Sequence, residues 1–595
     1  GTNFTNSLLV GTSGTGTLDS ADGNTGVGTS VLAAITSGDN NVAVGFCSLN
    51  ANTTGTQNTA VGLRSLRANT TGSNNIALGA YALDQHVSGS CNVAVGTSSL
   101  ESNTASDNTA VGGRSMAFNT TGTQNTAVGR SALLCNTTGA NNVAVGKDSL
   151  KTNTTASGNT GVGESALELT TTGCCNTAVG NGALQANTTG DDNVAVGQAS
   201  LAFATTADNN TAVGRFSMFC NTTGANNTAL GFCSLRSNTT AAGNVAVGAF
   251  ALDANTTGAN NVAMGEYALS ANTTANENTA VGPFALSTNT TGAVNSAFGR
   301  GALQSNTTGE NNVAVGTNAL LNNTTGSQNI AFGKYAGCGI TTGSDNISIG
   351  RDAMLAAVTS TYNIGIGTQA LAALSSGVGN VALGFGSLKA DTSGDNNISI
   401  GCRTMDANTT GDCNTFVGKD AGLSNTAGIR NTGFGIKAGE NVTTGGTNVF
   451  IGHESGAQGG MINITTEDNR GVFGHSNITN AYVKVAWTVT SDQRDKMNIS
   501  SVPHGLDFVN QLNPVSFQFK KSRDKEIPHG DMRYGFLAQD ILALEGDNPV
   551  IIDTEFENCL KYKGEHLVPV LVNAIKELSE ENKDLKSRIE ALESN

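Results

Sequence analysis

From residue 7 to residue 456, polar and apolar positions repeat one phrase: Asn, any residue, Ala, an apolar residue, then Gly. With the closing Gly as marker, Gly11, Gly28, Gly45, Gly62, Gly79 and Gly96 are 17 residues apart. One step of 16 reaches Gly112, and steps of 17 then continue to Gly435 and Gly452, which makes 27 turns. From Gly28 onward an Asn stands four residues before every marker, as at Asn41, Asn58 and Asn75. The residue just before the marker is always apolar, and the fourth after it is Leu or Met in most turns (Leu49, Leu66, Met116).

A phase kept this strictly marks a solenoid, in which each turn buries its apolar side only against its neighbours. The alternating phrase is long enough for one strand, and 17 residues leave no room for a helix pair. Equivalent residues then stack as parallel strands about 4.8 Å apart, giving a rod of roughly 130 Å. Asn41, Asn58 and Asn75 are expected to form a ladder of side-chain amides. The Val before the marker and the Leu after it are expected to fill a thin core. Gly45, Gly62 and Gly79 supply a corner where a side chain would clash or φ is positive. Residues 1–456 are therefore predicted to be mainly β, a 17-residue-repeat parallel β-solenoid or β-roll.

After Gly456 the period lapses. Residues 457–480 read as a transition segment, and residues 481–595 as a separate α+β domain. That last part carries 14 Lys/Arg and 19 Asp/Glu in 115 residues, against 17 and 27 in the first 480. It opens with a predicted strand, Lys484 to Val489. It closes on a helix whose Ile575, Leu578, Asn582, Leu585, Ile589 and Leu592 alternate by three and four. This is a coiled-coil seam with Asn582 setting register, or else the packing face of a helix lying on its own domain.

Charge and composition then remove function classes. A net charge of −15 argues against nucleic acid, and no run of 18 apolar residues exists for membrane insertion. Ten of the eleven cysteines fall in the repeats, none 17 from another and none in C-x-x-C, so zinc and redox readings fail. They read mostly as small buried thiols. Acidic residues keep no fixed phase, so no calcium repeat is predicted, and neither a metal nor a cofactor is expected. The phrase Asn-Thr-Thr-Gly recurs at Asn52, Asn69, Asn119, Asn136, Asn187, Asn221, Asn255, Asn306, Asn323 and Asn408. These are candidate N-glycosylation sequons on one edge of the stack. The plainer reading is that they are turn formers bonding the local backbone; a third, which a Thr pair abutting a turn Gly disfavours, is the Thr ladder of an ice-binding rod.

The repeat phrase resembles the head repeats of trimeric bacterial adhesins, a resemblance that covers about residues 7–456 and implies a trimeric, left-handed roll. The ordered set Ser491-Asp492-x-Arg494-x-Lys496, Leu512-Asn513-Pro514, Gly535-Phe536-Leu537-Ala538-Gln539-Asp540 and Leu567-Val568-Pro569 resembles a second family. That family is the intramolecular chaperone domain of phage endosialidase tailspikes and related fibres, the S74 peptidases. The resemblance implies a trimerisation chaperone that folds the preceding fibre and then cuts itself off. It assigns the catalytic dyad to Ser491 and Lys496, with Thr490, Asp492 and Arg494 as cleavage-site and loop support. The chemistry is sensible, because a hydroxyl becomes a nucleophile once a desolvated Lys takes its proton. The cut falls on either side of Ser491. On the pair alone, the readier reading is that Ser491 is the N-cap of a helix.

The leading expectation is thus a homotrimeric virion fibre whose only enzymology is single-turnover autoproteolysis and whose external partner is a host receptor or glycan. The rivals are a cellular extracellular filament or adhesin, an ice-binding rod, and a glycan-degrading tailspike lacking its catalytic part.

Overall fold

The structure is a computed structural model that describes residues 7–11, 20–478, 481–484, 490–522, 525–555 and 560–594. The predicted strand Lys484–Val489, apart from Lys484 itself, lies outside the described residues. Two compact units divide the chain, Gly1–Thr415 and Phe416–Asn595.

The first unit is a parallel β-solenoid. A three-residue strand recurs at every marker, from Leu8–Val10 through Val42–Val44 and Thr59–Val61 to Ile398–Ile400. Consecutive strands pair in parallel and in register, Val42 with Thr59, Ala43 with Ala60 and Val44 with Val61. Period-two alternation decides what faces inward. The ladder Asn and the middle Ala point into the turn, and the residues between and after them point out. Asn58 and Ala60 are fully buried, whereas Val61 is 38% exposed. This corrects the expected core: the Val before the marker faces outward, and the stack is filled by the middle Ala and by Leu49, Leu66 and their equivalents. Corner glycines are required by close approach. At Gly45, φ is 132° and an added Cβ would lie 2.5 Å from Gly62 O.

The amide ladder spans the stack. Asn58 donates through Nδ2 to Asn41 Oδ1 (3.1 Å) and to Gly72 O (2.8 Å), and its backbone N–H also donates to Asn41 Oδ1 (3.0 Å). Asn75 repeats the pattern one turn on. The sequon residues form a second buried ladder. Asn69 Nδ2 donates to Asn52 Oδ1 (2.7 Å) and to Gly72 O, and Asn136 Nδ2 to Asn119 Oδ1 (2.6 Å). All ten sequon asparagines are fully buried. Each also makes the local turn bond, as Asn52 Nδ2 does to Gly55 O (2.9 Å), and in the folded stack no sequon amide reaches solvent for glycan attachment. The first Thr of each pair is committed too, as where Thr53 Oγ1 donates to Thr70 O (3.0 Å). The cysteines also depart from expectation. Among the described residues only Cys233 and Cys338 are buried; five are half-buried, and Cys91, Cys175 and Cys413 are exposed.

The second unit repeats the same turn with a different filling. Where Leu would stand four residues after the marker, Gly422, Gly439 and Gly456 stand instead. Phe416 and Phe450 replace the middle Ala and fill the space, their rings 6.4 Å apart. Gly433 lies between them because a Cβ there would run into Phe416. Volume is conserved while its source moves from one side of the turn to the other. Residues 457–480 carry one further rung: Gly471–Phe473 pairs in parallel with Val449–Ile451 across a longer turn of 22 residues.

A small α+β part follows. Helix α1 (Leu506–Gln511) precedes an antiparallel hairpin, Val515–Ser522 with Lys525–Gly535, then α2 (Ala538–Glu545), a short strand pair, Ile552–Asp553 with Lys561–Tyr562, and α3 (Gly564–Glu593). Its core is Phe508, Ile541, Ile551, Ile552, Leu567 and Val570. Glu577 of α3 accepts from Leu506 N (2.6 Å) at the start of α1, and Asn573 Nδ2 donates to His504 O (3.0 Å). Gly505 stands where a Cβ would strike that carboxylate. Beyond Ala574 the helix meets little of its own domain: Ile575 is 66% exposed and Leu592 76%, with Leu578, Leu585 and Ile589 also exposed. Asn582 turns its Nδ2 back to Leu578 O (2.8 Å).

Candidate functional site

The segment from Thr490 to Lys496 is organised by one short turn. Asp492 accepts from the Arg494 backbone N–H (2.9 Å), capping a 3-10 turn over Gln493–Asp495. The Arg494 guanidinium closes onto the same carboxylate through Nε (3.1 Å) and Nη2 (2.6 Å). A fork of this kind fixes orientation as well as charge. Arg494 holds the Asp492 carboxyl below the usual carboxylate range, and the carboxylate in turn raises the guanidinium. Lys496 ends the turn, its N–H donating to Gln493 O. The chain thereby folds back on itself, and Lys496 Nζ donates to Ser491 Oγ at 2.7 Å.

All five of these residues sit in one loop, so the structure brings the sequence-selected set together. Ser491 caps no helix here; Asp492 holds that place. A nucleophile and a base within hydrogen-bond reach are the minimal parts of a Ser-Lys dyad. A Lys accepts a proton from a hydroxyl only when its charged form is disfavoured, which requires removal from water. Thr490, Ser491 and Lys496 are all exposed in this single chain. The loop supplies the geometry, and the dry surroundings must come from elsewhere. A separate cleft of about 380 Å³ lies between α1 and α3, lined by His504, Phe508, Leu544 and Glu577, and includes none of the loop residues.

Sequence reasoning missed a second convergence of titratable groups. His453 and His475 each follow a corner glycine, Gly452 and Gly474, on neighbouring rungs, and Glu454 lies beside both. Their imidazole and carboxylate donor atoms lie within 4.8 Å of one another. The hydrogen bonds decide between a ligand set and a structural pair. Asn477 N–H donates to His475 Nδ1 (3.1 Å), so the ring proton sits on Nε2 and is given to Glu454 Oε2 (3.0 Å). A ligand nitrogen needs a free lone pair pointing at the ion. The cluster therefore pins the last turn to the one before it. The signal in the sequence was Gly471-Val472-Phe473-Gly474, a marker phrase five residues late and without its Asn.

Comparison with known proteins adds one finding. Residues 491–548 match the family described as the chaperone of endosialidase, peptidase S74. The match begins at Ser491 and contains the loop, α1, the hairpin and α2. No curated protein and no solved structure matches the chain.

Proposed function

We propose that this chain is a subunit of a homotrimeric fibre of phage type, carried on a virion or otherwise extracellular, in which the C-terminal domain aligns three copies, directs folding of the solenoid and then cuts itself off. The observation that carries the reading is the 2.7 Å contact of Lys496 Nζ with Ser491 Oγ inside the segment matched to the endosialidase chaperone. The exposed apolar seam of α3 supports the association of copies, since Ile575, Leu578, Leu585, Ile589 and Leu592 have little of their own domain to cover them. Parallel in-register turns nucleate slowly and slip easily. A domain that sets the starting register shortens that search, and its later loss leaves the shaft kinetically trapped. The released shaft presents or spaces a surface for a host receptor or glycan.

In the simplest chemistry Ser491 Oγ attacks the Thr490 carbonyl as Lys496 takes the hydroxyl proton. The C–N bond breaks, the proton passes to the Ser491 amine, and water hydrolyses the resulting ester. Packing of copies around the loop would remove Lys496 from water, which ties cleavage to assembly. The test is intact-mass and native-mass spectrometry of fresh wild type beside Ser491→Ala and Lys496→Met. A trimer losing roughly 11–12 kDa per chain only in the wild type is expected, and the fragment mass locates the bond. Equal masses in all three proteins would refute cleavage, and a monomeric native mass would refute the fibre.

A further inference from the structure

The outward face of the solenoid strands carries a pattern that solvent exposure does not explain. Each strand turns its first and third side chains outward. In the first unit, the third position is apolar in every rung: Val61, Leu78, Val128, Val179, Leu230, Met264, Phe298, Phe332 and Ile366 among others. None of these side chains is buried; Leu230 is 47% exposed and Phe298 42%. Strand propensity alone does not impose this. The first position takes Thr freely (Thr59, Thr126, Thr177), and Thr suits a strand as well as Val does. Only the third column excludes it, and neither column holds a charged residue. The third column alone, about 5 Å wide with a rung every 4.8 Å, makes an unbroken apolar strip of about 500 Å² over some two dozen rungs, and the Val and Ile of the first column widen it. Soluble monomers rarely leave more than a few hundred Å² of contiguous apolar surface uncovered.

We propose that this strand face is the surface along which copies of the chain pack against one another, in parallel and in register, and that the third column is its centre. The inference rests on the homotrimer reading and says which of the solenoid's faces is covered. The occupant follows from the period. A strip that repeats every rung, without interruption, from Leu8–Val10 to Ile398–Ile400 is matched along its whole length only by a surface with the same rung spacing. Another copy of this chain presents one. Opposite phases of the turn are unsuited, since Thr189 and Thr308 stand exposed there among polar neighbours.

The test places a photo-reactive phenylalanine analogue at Val179 or Phe298 of the full-length protein, with Thr189 and Thr308 as control sites, alongside native mass of each product. Interchain cross-links several times more abundant at Val179 and Phe298 than at the controls are expected. A Val179→Glu, Leu230→Glu variant should keep its β-sheet circular dichroism and lose trimer mass. If the wild type is monomeric, the homotrimer reading and this inference fall together. If it is trimeric but cross-links equally at all four sites, or links Val179 to lipid or to an unrelated protein, the trimer stands and this assignment of its interface is overturned.

Discussion

Asp391 occupies a position of the second amide ladder that Asn holds in most turns, and replacing it with Asn should make the stack more stable above neutral pH. Its carboxyl is buried. Oδ1 accepts from Gly394 N (2.8 Å), and Oδ2 has no hydrogen-bond partner among the described residues. Burial pushes the group from 3.8 to about 7, against the opposing bonds from Gly394, Asn408 and Ser393. A folded-state value above the unfolded one means that the folded chain holds its proton longer. The penalty is therefore absent below pH 3.8, grows as the unfolded chain ionises, and is complete once the pH passes about 7. Its full size is about 4 kcal/mol, from about 1.4 kcal/mol for each tenfold change in proton affinity. Asp391→Asn does not titrate and can donate to Gly394 O, as Asn408 Nδ2 does to Gly411 O (3.2 Å). Turns of a solenoid open locally, so the assay is hydrogen exchange by mass spectrometry on peptides spanning residues 388–397. Intrinsic exchange at a given pH is nearly common to both proteins, and the ratio of protection reads the difference in opening. At pH 8 the variant should be protected up to about a thousandfold more, and at pH 4 the two should agree within about tenfold. Equal protection at both pH values, or a less protected variant, would refute the reasoning.

Asn58→Ala removes a buried amide that serves Gly72 O, Asn41 Oδ1 and the backbone of Asn75, and orphans the Asn75 N–H; a loss of about 3 kcal/mol in local opening is expected from hydrogen exchange. Phe450→Ala empties the core of its turn and should cost about 3–5 kcal/mol by the same readout. Adding Gly456→Leu restores the Ala and Leu pair of ordinary turns and should recover most of that loss. Gly45→Ala drives a Cβ to 2.5 Å from Gly62 O at a φ of 132° and should lower the melting temperature of the solenoid, as circular dichroism would record.

Period and phase made the solenoid legible, because a ladder of identical residues admits one strand register. What they hid was direction. Val44 and Ala43 differ by one position, and only the alternation counted from Asn41 assigns Ala43 to the core. Ordinary hydrophobicity ranks Val above Ala and so points Val61 and its equivalents inward, against the alternation. At the sequon asparagines the local turn bond is legible, as Asn69 Nδ2 to Gly72 O, but the stacking of Asn69 on Asn52 in a second buried ladder is not, because a tripeptide read alone says nothing of the turn above it. At the C-terminus, Ser491 and Lys496 are assigned by the resemblance to the S74 family and not by their spacing, and the Asp492 cap and Arg494 fork bring the two side chains into contact. The exposure of both side chains was not readable, since solvent access depends on what packs around the loop rather than on the loop itself.

The irregular turns have a consequence for how such a chain keeps its place. Nearly interchangeable rungs are ambiguous addresses: a growing stack can skip one turn, loop it out, and still meet an Asn, an Ala and a Leu at every site. The entropic cost of a loop of that length grows only slowly with its size. The 16-residue step before Gly112, the Phe416, Gly433 and Phe450 filling, and the long turn pinned by His475 and Glu454 differ from the ordinary turn and from one another. They act as landmarks on an otherwise featureless scale. A chain that skipped a rung would be exposed at the next landmark as a void or a clash.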